Sequence, residues 1–315
     1  MLNKIKSRFI LSLLFENLKK RLKLKIIKIN KKMLYRLNIT IKDFQDYKTL
    51  KELNTKYDFH ILDIDINKID LSNKIQGTEI LEYINDINFK KLKELDLQHN
   101  SISDIKVLQN LKMANLEILN LMGNKISNIN ILEKVNLNKL EKLDSSFNEI
   151  SNINILEKVN FSQLKELNLY NNEITDIKIL ENVRFERLEI LNLGSNKISN
   201  ISILGNVNFK ELKKLYLYNN NISDITVLEK VNFEKLEILN LCYNKISDIN
   251  ILANVNFKEL KKLDLFNNEI SDIKVLDKAV FNKLEILNLG ENDIDKEEYS
   301  FTIDNLKLKI QMLLL

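Results

Sequence analysis

The chain has 315 residues, 44% of them apolar and 29% charged, values of a folded rather than a disordered polypeptide. It has no proline, five glycines and one cysteine, Cys242, which excludes an internal disulfide framework and agrees with a reducing compartment. The net charge of +4 is unevenly spread: residues 1–42 carry thirteen Lys/Arg against one acid, Glu16, which leaves −8 on the remainder.

In residues 1–58, Phe9, Ile10, Leu13, Leu14, Asn17 and Leu18 recur at helical spacing. Leu22, Ile26, Ile27, Ile29 and Leu34 predict one or two further helices, so this segment reads as a basic helical N-terminal module. Its apolar run from Phe9 to Phe15 is short, broken by Ser12, and followed by Glu16, Lys19, Lys20 and Arg21 without a small-residue cleavage site. Neither a signal peptide nor a spanning helix is expected, and an intracellular, cytoplasmic protein is the default. The module could dock on the rest of the chain as an extension. Its charge could serve nucleic acid or an anionic membrane, but Lys and Arg alternate with core residues as on solvated helix faces, so neither partner is expected. The run FILSLLFENLKKRLKLKIIKINKKM also resembles an F-box, with Ile10, Leu14, Phe15, Leu18 and Leu22 at matching places. The Leu-Pro opening and the later Trp of that family are absent. This resemblance implies a substrate adaptor of a cullin-type ubiquitin ligase.

Residues 59–91 read as a degenerate repeat and N-terminal cap. Leu81, Ile84, Ile87 and Phe89 fit the second half of a repeat, while Ile66, Ile69 and Leu71 fit the first half poorly; the halves lose register at Gly77 and Thr78.

From Leu92 to Asn292 a 24-residue unit recurs nine times, the last copy incomplete. Each copy opens with Leu (Leu92, Leu116, Leu140, Leu164, Leu188, Leu212, Leu236, Leu260, Leu284). Its ninth residue is Asn (Asn100, Asn124, Asn148, Asn172, Asn196, Asn220, Asn244, Asn268, Asn292). So short a unit cannot bury its own apolar face, so copies must stack. The Leu-x-Leu step, as in Leu119 and Leu121, predicts a short strand with one face buried. The recurring Asn predicts a ladder of side-chain amides satisfying backbone groups of neighbouring turns. Ile246, Ile249, Leu252, Val255 and Phe257 predict an inward 3₁₀-like or short helical return. Phe161, Phe185, Phe209, Phe233, Phe257 and Phe281, preceded by Met113 and Leu137, predict a stacked spine. Ser145 stands where the other copies have the second strand leucine; it reads as a satisfied, slightly underpacked serine or as a hinge. After Asn292 the pattern dissolves. Residues 293–315 are expected to cap the stack through Ile303, Leu306, Leu308 and Ile310, with the apolar tail Met312–Leu315 packed on the cap or left as a sticky end.

The motif LxxLxLxxNxIxxI, carried by residues 92–292, resembles the leucine-rich repeat. Its NxISDIxxL form, at Asn220–Leu228 and Asn268–Leu276, is similar to the SDS22-like and internalin-like class. The resemblance implies an α/β solenoid, a curved horseshoe with a parallel concave β-sheet and a 3₁₀ or short-helix convex side, preceded here by the small helical module. It implies protein binding through the concave face, and in some SDS22-like members phosphatase regulation. The unit here is slightly longer than the one usual in that class.

No catalytic constellation is legible. His60 and His99 lack ligand partners at metal spacing, and neither a phosphate loop nor a nucleophile elbow occurs. An enzyme, a cofactor or a small-molecule substrate is therefore not expected. The expected contact surface is the outward fifth, seventh and eighth positions of each copy. There Tyr170, Tyr216, Tyr218, Tyr243 and Phe266, flanked by Asn168, Asn192, Asn240 and Asp264, form an aromatic patch, with Phe147 also at an eighth position. Tyrosines also suit strands for packing alone. The third position alternates Ile190, Lys214, Ile238, Lys262 and Ile286, so the last copies read as duplicated pairs, a regularity that needs no ligand.

Overall fold

The structure, a computed structural model, describes residues 68–70, 72, 92–111 and 113–315. The 1–58 module, with its F-box-like run, and most of the 59–91 segment lie outside the described residues.

Among the described residues, eleven short strands form one parallel sheet in strict sequence order. Strand β1 is Lys68–Asp70; β2 to β10 begin with Glu94–Asp96 and Ile118–Asn120, recur once per copy, and end with Ile286–Asn288; β11 is Met312–Leu314. Each strand pairs with the next without slippage, for example Lys214 with Ile238 and Tyr216 with Asn240. The strands are short because each spans only the first leucine of the Leu-x-Leu step and its two outward neighbours before the chain begins to turn. Main-chain bonding nevertheless continues past them: the Leu217 N–H donates to Asn240 O at 2.9 Å and the Asn219 N–H to Cys242 O at 2.8 Å.

At the eighth position the chain turns through the left-handed region, at His99, Phe147, Asn171, Ser195, Asn219, Tyr243, Asn267 and Glu291, with φ between 50° and 56°, and at Gly123 with φ 67°. The ninth-position Asn then closes the turn. In copy six, Asn220 Nδ2 donates to Leu217 O and Tyr218 O of its own turn and to Leu193 O of the preceding one, while its Oδ1 accepts the Ile198 N–H. The same four bonds recur at Asn148, Asn172, Asn196, Asn244 and Asn268. One side chain thus satisfies buried backbone groups of two successive turns.

The return path is a 3₁₀ turn in each of the first eight copies, from Lys106–Asn110 to Lys274–Asp277. It starts where a thirteenth-position Asp or Asn takes the amide two residues on, as Asp224 does from Thr226 at 2.8 Å. Inside the coil Ile246, Ile249, Leu252, Val255 and Phe257 are all buried. The phenylalanines form the expected spine: Phe161, Phe185 and Phe209 stack at 6.3 and 6.4 Å. Burial of each such side chain contributes about 1.5–3 kcal/mol, so the apolar coil dominates the fold. The exposed Lys–Glu pairs that join successive copies, such as Lys213–Glu189 and Lys261–Glu237 at 2.8 Å, each add little.

Two expectations need correction. Ser145 is not satisfied: it is fully buried, and its Oγ has no hydrogen-bond partner among the described residues. Its counterparts on the adjoining rungs, Leu121 and Leu169, offer the hydroxyl neither donor nor acceptor. At the C-terminus, Ile303, Leu306 and Ile310 of helix α1 (Ser300–Lys309) and its end cover the stack, but Leu308 is 86% exposed. It lies on the opposite side of the helix from Ile303 and Leu306. The tail is an eleventh rung: β11 pairs in parallel with β10, Leu313 opposite Leu287. Among the described residues no helix is long and apolar enough to cross a membrane.

Urea denaturation tests this assignment. Asn220→Ala orphans groups on two turns and is expected to destabilise by about 2–3 kcal/mol, whereas Ser145→Ala removes an unpaired buried hydroxyl and is expected to stabilise by about 1 kcal/mol. A neutral Asn220→Ala would remove the ladder from its structural role.

Candidate functional site

Period-2 alternation along each strand sends the third and fifth residues of every copy to one face and the leucine between them to the core: Lys214 and Tyr216 are half-buried, Leu215 fully buried. The seventh and eighth residues follow on the turn, beyond the strand proper, and line the rim of that face.

Most of the fifth-position column is occupied with holding the turn. In eight of the nine copies its Asp or Asn Oδ1 accepts the N–H of the seventh residue at 3.0–3.3 Å. Asn168 further donates to Asp144 at 3.0 Å. Asp264 is buried, accepts Asn288 Nδ2 at 3.0 Å and pairs with Lys262 at 3.1 Å. Asn168, Asn192, Asn240 and Asp264 therefore act first as scaffold for the aromatic residues beside them.

The aromatic side chains gather in two groups. In the first, Phe147 meets Tyr170 edge-on at 5.0 Å, Tyr170 meets Tyr218 at 5.4 Å, and Tyr218 meets Tyr216 edge-on at 6.5 Å. Tyr170 and Tyr218 are two copies apart, and Gly194 between them makes the contact possible. A Cβ on Gly194 would stand 2.6 Å from the Tyr218 ring, so the ring lies across the glycine to reach Tyr170. Burial there pushes the Tyr218 phenol up to about 12; the neighbouring Tyr170 adds to the shift, and a hydrogen bond with Asn192 opposes it. In the second group Tyr243 meets Phe266 edge-on at 5.4 Å, with Phe266 leaning towards Gly290. The structure thus brings all five aromatic residues expected from the sequence onto one face, but in two clusters. It adds Phe147, whose signal in the sequence was its eighth position.

Phe147 and Tyr243 stand apart from the rest. They are 46% and 49% exposed, and both sit in the left-handed backbone region, which Asn and Gly tolerate and bulky side chains rarely adopt. Copy six breaks a second local rule: Tyr216 replaces the fifth-position Asp or Asn, so the Tyr218 amide forgoes the bond its eight counterparts have. Cys242, between the groups, is half-buried; burial, with Asp264 adding, pushes its thiol up to about 11, so it is protonated at neutral pH and not poised as a nucleophile. Among the described residues no cluster of three or more His, Cys, Asp or Glu side chains could hold a metal ion.

Parallel rungs, a buried asparagine ladder and 3₁₀ returns define a curved repeat solenoid, a class that presents a face rather than enclosing a pocket. The leucine-rich repeat family, as its two-copy unit, matches residues 90–134, 162–206 and 210–254. Internalin C2 of Listeria monocytogenes superimposes with a TM-score of 0.51 at 27% identity, over 63% of this chain and 80% of that one. A leucine-rich repeat protein of Leptospira interrogans gives a TM-score of 0.63 at 23% identity over 78% of this chain, which spans 59% of that relative. The leucine-rich repeat ectodomain of the Arabidopsis thaliana receptor kinase GASSHO1/SCHENGEN3, solved in complex with Casparian strip integrity factor 2, gives 0.60 at 21% identity, over 86% of this chain and 33% of that one. No curated protein matches. The matched residues are leucine-rich repeats, and the chain carries the solenoid fold built from them.

The Tyr218 environment has a pH signature. A tyrosine titrates near 10 when unfolded, and Tyr218 holds its proton to about 12 in the folded chain. The stability this contributes is therefore complete below pH 10 and lost as pH rises towards 12. The urea midpoint is expected to fall across that window, and to fall less steeply in Tyr218→Phe; identical profiles would place the hydroxyl in open solvent.

Proposed function

We propose that this chain is a non-catalytic protein-binding scaffold that recognises a protein partner through its concave face. Phe147, Tyr170, Tyr216, Tyr218, Tyr243 and Phe266 make the contacts, and Asn168, Asn192, Asn240 and Asp264 position them. One observation carries this reading: exposed aromatic side chains stand where the backbone favours Asn or Gly. A left-handed non-glycine residue costs about 1–2 kcal/mol, and the edge-on ring contacts return only about 0.5–1.5 kcal/mol. Folding alone gives no reason to prefer Phe147 or Tyr243 over the Asn found at the same position in copies four, six and eight. Large rigid rings on a stiff sheet are the usual anchors of protein interfaces, and breaches of local rules concentrate at functional sites. The family's common role as an interaction scaffold supports the same reading, and the lone cysteine fits a cytoplasmic setting.

The double variant Phe147→Asn/Tyr243→Asn tests it. Urea stability is expected to stay within about 1 kcal/mol of the parent, because relief of backbone strain offsets the lost ring contacts. Affinity capture with the intact chain, read by mass spectrometry, is expected to lose its specific partners in this variant and to weaken about five- to thirtyfold or more in Tyr218→Ala. Partners captured equally by all three proteins would reject this face as the contact surface.

A further inference from the structure

Three lysines stand in the third-position column, on the same face as the aromatic clusters: Lys142, Lys214 and Lys262. Two are neutralised within the solenoid. Lys142 pairs with Glu166 on the next rung at 2.7 Å, and Lys262 with Asp264 two residues on at 3.1 Å. Among the described residues Lys214 has neither arrangement. The rungs on both sides present Ile190 and Ile238 to it, and two residues on stands Tyr216, where Lys262 has its aspartate. The second-position glutamates of the two adjoining rungs are committed elsewhere. Glu189 accepts Lys213 and Glu237 accepts Lys261, both at 2.8 Å, and Lys214 is the weakest of the influences on Glu237. The rule broken in copy six thus has a double effect: Tyr216 in place of the fifth-position Asp or Asn both adds a ring and removes the position from which Asp264 pairs Lys262.

Lys214 has isoleucine on both flanking rungs and, two residues on along its own rung, Tyr216 of the first aromatic group. A cation there keeps its hydration only while the face is open. A partner covering it would strip that water, so a bound surface must either avoid this point or bring an anion to it. We propose that Lys214 is the charge-recognition point of the concave face, receiving an Asp or Glu side chain of the bound protein whose apolar neighbours pack on Ile190, Ile238 and Tyr216. This inference rests on the concave-face reading above and specifies the chemistry of the partner: an acidic residue set within an apolar stretch.

Selection of a displayed random peptide library on the intact chain, run in parallel on Lys214→Glu and on Phe147→Asn/Tyr243→Asn, tests it. The parent is expected to enrich peptides with Asp or Glu flanked by aliphatic or aromatic residues. Against the best synthetic peptide, Lys214→Glu is expected to lose roughly tenfold or more in affinity, and Lys214→Met nearly as much. Exchanging the peptide's acid for Lys is expected to restore binding to Lys214→Glu, a rescue that a structural role of Lys214 would not produce. A parent pool without acidic enrichment, or a Lys214→Glu pool with the parent's preference, overturns the inference. Acid-selective peptides that bind the Phe147/Tyr243 variant undiminished would instead overturn the aromatic-anchor reading and leave Lys214 standing.

Discussion

Each turn of this chain leaves its strand while packed between two other turns, where the backbone N–H and C=O groups of the bend cannot reach water. The ninth-position asparagine resolves this constraint. A carboxamide is the smallest side chain that offers two donors and an acceptor in one plane, and each Asn spends them on carbonyls of two turns and an amide of the preceding one. Leucine could not do this, and aspartate would bring charge into an apolar coil. Because the bonds run both within and between copies, the ladder sets the rung register as well as the bend. Continuous burial of the Leu, Ile and Phe columns then follows from stacking.

A scaffold so over-determined can tolerate local irregularity. Ser145 leaves a hydroxyl unpaired in the core, Phe147 and Tyr243 hold a backbone conformation unsuited to rings, and Tyr216 gives up the hydrogen bond that its position makes elsewhere. Their neighbours continue the ladder on both sides, so the defects remain local. Three of the four place an aromatic ring on the open face. The glycines take part in the same arrangement: Gly194 has no side chain of its own to offer, and its value is the space it leaves for Tyr218 to reach Tyr170 across a full copy.

Charge follows the same logic along the solenoid. Lysines and glutamates alternate between successive copies and neutralise one another, as at Lys213–Glu189 and Lys261–Glu237. Such exposed pairs contribute little stability, but they leave the flank without strong net potential. An unpaired charge on the concave face then stands out chemically, and Lys214 is that charge within the described part of its column. Copy six therefore combines an aromatic pair and an uncompensated cation on one rung.

The solenoid was legible from the sequence because its two governing periods, the Leu-x-Leu step within a copy and the constant interval between copies, are one-dimensional. The inward columns, the asparagine ladder and the phenylalanine spine all follow from position within the unit. The approach to the first copy was harder to read: Lys68–Asp70 pairs in register with Glu94–Asp96 although its segment fits the motif poorly, because parallel main-chain pairing asks little of side chains. The C-terminal tail likewise became a strand because the open edge of β10 offers unpaired backbone groups, a demand no residue in Met312–Leu315 announces. Sequence position also placed the aromatic residues on one face, but not their grouping. That depends on which way a ring leans, and so on the glycine or side chain of the neighbouring rung. The orphaned Ser145 hydroxyl and, among the described residues, the unpaired state of Lys214 are relations between turns a full copy apart in the chain, and only stacking decides them.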